Sequence, residues 1–189
     1  MKVLVNAVAF QAGWFATVLG AANGLPWLGL VAVLAVGGLH LRASPRPGVE
    51  ARLLLVAMAL GLGFDSLLLA TGWIAYPNGL FAPGLAPYWI VALWALFATT
   101  LNVSLRWLRG RDVLAVVFGA VGGPLSYLAG ARLGAMTFVD TAPALLALAI
   151  GWGAMMPLLT RLGARFDGAR AGVRPPYIRD HWQKVDSHG

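Results

Sequence analysis

No cysteine occurs in the chain, and only three histidines and seven acidic residues stand among its 189 positions. The missing thiols exclude disulfides, thiolate metal sites and cysteine nucleophiles, and the scarcity of histidine leaves little material for zinc or haem. Neither a metal nor any other cofactor is expected. Charge of either sign is also scarce: Asp, Glu, Lys and Arg make up 11% of the chain, against roughly 25% in a soluble domain. Apolar residues take their place, at 59% and a mean hydropathy of +0.76. A soluble domain of this length has too little interior to hide so much apolar surface, whereas lipid is a solvent for it. The composition reads as an integral membrane protein. A net charge of +7 would point to nucleic acid in a soluble chain; here it bears first on membrane topology, and no nucleic-acid partner is expected.

A hydrocarbon core about 30 Å thick needs about 20 apolar residues per helix. Divided at charges and at Pro/Gly clusters, the chain gives six segments, near residues 3–22, 26–41, 52–72, 87–108, 113–134 and 141–162. The expected fold is all-α: a polytopic six-helix bundle over residues 1–162, followed by a basic cytoplasmic tail over 163–189. From Arg161 onward lie six basic and three acidic residues with Pro175-Pro176, the composition of a flexible segment held at anionic headgroups. The first segment is read as a retained helix rather than a cleaved leader, because its apolar stretch is full-length and contains Asn6 and Gln11. Basic residues fall on one side. Lys2, the Arg42/Arg46/Arg52 group, the Arg106/Arg109/Arg111 group and the residues after Arg161 share a face, with Arg132 the exception. By the positive-inside rule both ends are cytoplasmic, in a multi-pass protein of a bacterial inner membrane. On the opposite side, Trp73, Tyr76, Phe81, Tyr88 and Trp89 suit an interfacial aromatic belt.

Ionisable side chains within a span cost a few kcal/mol, about 2.5–3.5 on insertion scales, so they face a protein interior and find partners. Asp65 is the one carboxylate well inside a segment, and Arg132 lies near the outer end of the fifth. A long arginine at that depth can reach the aspartate, either to lock two helices together or to form a substrate or proton site; alternatively it snorkels alone to the headgroups. A second polar set, Asn6 and Gln11 with Thr99, Asn102 and Ser104, serves either interhelical hydrogen bonds or a headgroup pocket. His40 is expected at the interface, and Asp140 as the cap of the sixth helix ahead of Pro143.

The fifth segment has an unusual sequence. Gly119, Gly123, Gly130 and Gly134 fall on one helix face, Pro124 removes a backbone hydrogen bond beside Ser126, and Tyr127 follows. Such a face allows either close packing or a flexible gate or acyl-chain groove, with Tyr127 a candidate lining residue. An inverted repeat would indicate a transporter; the short match between residues 15–19 and 97–101 is a weak sign of one. Ser126 lies in no nucleophile-elbow pattern and has no membrane-embedded histidine as its base. Asp167-Gly168-Ala169-Arg170 shares elements with phospholipid-head transferases but lacks their spacing and further aspartates. Phosphate-loop and dinucleotide patterns are also missing.

In LWALFATTLN (residues 93–102), Leu105-Arg106-Trp107-Leu108, GGPLSYLAGARLGA (residues 122–135), and the pattern Asn6, Gln11, Gly13, Trp14, the chain resembles a family of small bacterial inner-membrane proteins, domain of unknown function 2878. The resemblance covers roughly residues 6–162 and brings no activity or catalytic residues. It implies a genomic association with membrane fatty-acid modification enzymes. The expectation is thus a non-catalytic scaffold or accessory subunit of membrane-lipid metabolism, with membrane lipids and membrane-bound lipid enzymes as partners. A small transporter or flippase using Asp65 and Arg132 is the alternative, and an intramembrane lipid-modifying enzyme a third reading.

Overall fold

The computed structural model describes residues 3–169. Six α-helices carry this part of the chain: α1 (Val3–Ala22), α2 (Trp27–Ala43), α3 (Pro47–Ala70), α4 (Tyr88–Leu101), α5 (Asp112–Arg132) and α6 (Thr141–Arg165). Four of them, α1, α3, α5 and α6, are long and apolar enough to cross a membrane. Large apolar side chains such as Val113, Val117, Val121 and Leu125 on α5, Leu146 and Ile150 on α6, and Leu55 and Leu67 on α3 point outward, exposed. In water such faces would drive aggregation; in lipid they carry no penalty.

The shortest helix lies at the centre. Eleven of the fourteen residues of α4 are buried, so this helix is surrounded by protein, packed against α1, α2 and α3 and touched by α6. Close approach is made by small residues on its neighbours: a Cβ on Gly61 of α3 would lie 2.2 Å from the Trp94 ring. Trp94 in turn stacks on Trp152 of α6, ring centroids 4.7 Å apart, and Phe97 meets the same indole edge-on. The helices α5 and α6 form an extensive antiparallel pair, while α1 pairs with α2.

Several expected boundaries shift. Helix α3 begins at Pro47 rather than near 52, because proline suits the first helical turn; this draws Glu50 into the helix. Helix α4 stops at Leu101 instead of running to 108: the Leu105 N–H closes back on the Thr100 carbonyl, and a 3-10 turn, Arg106–Leu108, follows. Helix α6 continues to Arg165. Helix α5 ends at Arg132, so Gly134, at φ +90°, lies in the turn after it and not on its face.

The end opposite the arginines is closed by a small antiparallel pair, β1 (Ile74–Ala75) with β2 (Thr137–Phe138). Beside this pair, Tyr76 and, at the start of α4, Trp89 point inward. Both are buried and meet edge-to-face, which corrects their assignment to an interfacial belt; Phe81 remains exposed. Asp140 stands at the N-cap of α6 but makes no capping hydrogen bond through its side chain. Of the expected tail, residues 170–189 lie outside the described residues.

Candidate functional site

Asp65, on the face of α3 turned toward α4, is completely buried. Its Oδ2 accepts a hydrogen bond from Trp94 Nε1 at 2.7 Å. Its Oδ1 accepts one from the Tyr127 hydroxyl of α5, with the Tyr76 hydroxyl farther off at 3.5 Å. An indole and two phenols therefore solvate the carboxyl from three directions, satisfying both oxygens without a cation. Arg132 is not among the partners. It is exposed on α5 and has no ion pair among the described residues, so the structure does not make the Asp65–Arg132 pair considered from the sequence.

Beside this centre the bundle is open. Helices α1 and α5 are at most sparsely packed against one another, and between them runs a cavity of about 620 Å³. Phe10, Gln11, Trp14 and Phe15 of α1 form one wall; α5 forms the other from Phe118 to Leu133. Phe97 of α4 and Trp152 of α6 close the floor. A smaller, deeper space of about 70 Å³ adjoins it, sharing Phe10, Trp14, Phe97, Ser126 and Trp152 and reaching Tyr127, Trp94 and Gly130. Two of the donors that hold Asp65 thus line the smaller space beside the cavity. The Trp152 Nε1, in the lining, is buried with no hydrogen-bond partner among the described residues.

The glycines of α5 divide by task. A Cβ on Gly119 would fall 2.1 Å from the Trp152 carbonyl oxygen and one on Gly123 2.3 Å from the Trp152 ring, whereas Gly122 and Gly130 face open space. The first two are contact points with α6 at the edge of the cavity; Gly122 is part of the cavity wall and Gly130 lines the smaller adjoining space. The helix runs through Pro124 without interruption.

A second polar cluster joins the arginine-rich ends of the helices. Glu50, fully buried, lies 3.0 Å from His40 Nε2. It accepts hydrogen bonds from Asn102 Nδ2 at 2.6 Å and from the Gly168 N–H at 2.8 Å. Asp167 receives Arg106 and Arg109, and Arg109 also bonds the Asn102 side-chain oxygen. Burial alone would raise the Asp167 pKa, but the hydrogen bond and charge of Arg109 and the charge of Arg106 outweigh it and hold the carboxyl below its ordinary value. Ser44 Oγ donates to the Gly168 carbonyl at 2.8 Å. The chain after α6 is therefore clasped to the α2–α3 and α4–α5 connections. Nearby, Asn6 of α1 donates to the Thr99 carbonyl at 3.1 Å and accepts from Ser104 Oγ at 2.7 Å.

The pattern of the family described as "Protein of unknown function (DUF2878)" matches residues 3–158. The chain belongs to that family. No curated protein and no solved structure matches it. The matched range in this DUF2878 member takes in Asp65, its three donors, both walls of the cavity and Glu50, and stops before Asp167.

The polar set expected from the sequence of this DUF2878 chain separates into three. Asn6, Thr99 and Ser104 do come together; Asn102 serves Glu50 instead; Gln11 is exposed in the cavity wall, on the same opening as Arg132. His40 is buried rather than interfacial. Glu50, Asp167, Trp94 and the inward role of Tyr76 were not anticipated. Pro47 was the available signal for Glu50, since a helix begun there carries residue 50 in its first turn; no local pattern marks the other three.

Proposed function

We propose that this protein is a six-span protein of a bacterial inner membrane, with both ends on the cytoplasmic face. In this reading it serves lipid metabolism as a non-catalytic accessory subunit by holding a membrane amphiphile between α1 and α5. The observation that carries the reading is the 620 Å³ opening between those helices, within the ~300–1,000 Å³ range of small-molecule sites and walled mostly by apolar side chains. Catalysis has little support in the polar groups present, because both oxygens of Asp65 are engaged by neighbouring donors. The orientation is supported by Arg46, Arg106, Arg109 and Arg161, whose contacts gather them at one end of the bundle.

Native mass spectrometry of protein gently extracted from its own membrane tests this function. A bound lipid is expected at one per chain, and Gly122→Phe, which fills the opening from a position facing free space, is expected to remove it. Wild-type protein free of lipid, with a protein partner alone, would leave only the scaffold. A small transporter is the second reading, favoured by a fully buried carboxyl next to the cavity; it requires pH-dependent flux in vesicles that Asp65→Asn abolishes.

A further inference from the structure

The shape of the opening between α1 and α5 narrows what it can hold. Its α5 wall extends from Phe118 to Leu133, which at 1.5 Å per residue is about 22 Å. That is longer than one leaflet's half of a ~30 Å hydrocarbon core, so the space is elongated along α5, faced over its middle by Phe10 to Phe15 of α1. Apart from Gln11 and Ser126, its polar lining is Arg132, the one cation in the wall. Arg132 stands at the last residue of α5, exposed and without a carboxylate in ion-pair reach among the described residues. A slot of one chain's length, apolar along its course and cationic at one end, is complementary to an acyl chain that carries an anionic head.

Resting on the proposed lipid-holding function, we infer that the occupant is an anionic diacyl phospholipid: one acyl chain lies in the slot and the phosphodiester meets Arg132. The guanidinium presents paired donors that match two phosphate oxygens. The sparse packing between α1 and α5 leaves the slot open on one side, so the second chain stays in the bilayer and the lipid enters without leaving the membrane. Arg132 is then a headgroup ligand, and its lack of an ion-pair partner among the described residues follows from that use. Gly122 keeps the slot clear, since a side chain there would project into it rather than into α6, and Gly130 does the same for the smaller adjoining space.

The test uses the full chain in phosphatidylcholine nanodiscs. Each sample is doped with one photoactivatable probe: phosphatidylglycerol, phosphatidylcholine or a free fatty acid, with the reactive group on the acyl chain. Crosslinked residues are mapped by mass spectrometry. Phosphatidylglycerol is expected to label the slot at Phe97, Phe118 or Met156 and to outcompete phosphatidylcholine. Arg132→Gln is expected to reduce that labelling about tenfold, the scale of a charge-assisted hydrogen bond, and Arg132→Lys to restore part of it. Equal labelling by both phospholipids, unaffected by Arg132→Gln, would overturn the anionic head while keeping the slot as a lipid site. Labelling by the fatty acid alone would overturn the diacyl assignment. Slot labelling by no probe, or labelling unchanged by Gly122→Phe, would remove the lipid-holding function itself. Thermal unfolding of each variant separates lost binding from lost fold.

Discussion

Asp65 keeps company with Tyr127, Trp94 and Tyr76 instead of a cation. A buried carboxyl depends on its donors, and an aromatic donor removed by a near-isosteric change leaves an oxygen unsatisfied at about 1–3 kcal/mol. Tyr127→Phe is therefore expected to lower stability by that amount in detergent unfolding, whereas Arg132→Ala leaves it unchanged. Similar losses in the two variants would mean that Arg132 supports the fold after all. The sequence marked Asp65 as a residue needing a partner, since any intramembrane carboxylate does. It did not name the partner. Tyr127 and Trp94 lie 62 and 29 residues away, and nothing local distinguishes them from the other aromatics of apolar helices.

At the level of elements, the contact between α5 and α6 is closest where Gly119 and Gly123 meet Trp152. Gly123→Leu would drive a side chain into the Trp152 ring, and overpacking of this kind costs about 1–3 kcal/mol or more. Reduced thermal stability and altered Trp fluorescence are expected for Gly123→Leu, and neither for Gly122→Leu, although the positions are adjacent. Loss of a binding partner in Gly123→Leu would consequently say little about docking, because the helix pair itself is disturbed. The glycine spacing was visible in the sequence as a close-packing pattern. Which glycines touch a neighbour and which face open space was not, because that depends on the rotation of α5 against α6.

For the whole molecule, the clasp around Asp167 and Glu50 ties the chain after α6 to two other connections. Because the folded Asp167 carboxyl lies below its ordinary pKa, its contribution is fully present above that ordinary value and is lost as pH falls through the lowered one. Asp167→Asn should lower the melting temperature at neutral pH, and the gap from wild type should shrink on acidification. A constant gap would show that its pairs with Arg106 and Arg109 do not stabilise the fold. Topology is open to a direct measurement, since the chain has no cysteine of its own. Single cysteines at Gly84 and at Gly110 should react with impermeant reagents from opposite sides, the latter only from the cytoplasm. Labelling of both from one side would end the six-span arrangement.

Composition and helix-length apolar runs were enough to establish a helical, membrane-compatible chain, because transfer of side chains into lipid is summed over each segment and does not depend on which helices are neighbours. The six helices, the special character of α5 and the need of Asp65 for a partner were legible for the same reason. Only the tertiary structure decided that α4 is an enclosed central helix, that Tyr76 turns inward, that Glu50 is buried against Asn102, and that α1 and α5 stand apart. Those outcomes depend on rotation, depth and pairing between segments distant in sequence, and many pairings satisfy the same apolar pattern until the side chains interlock.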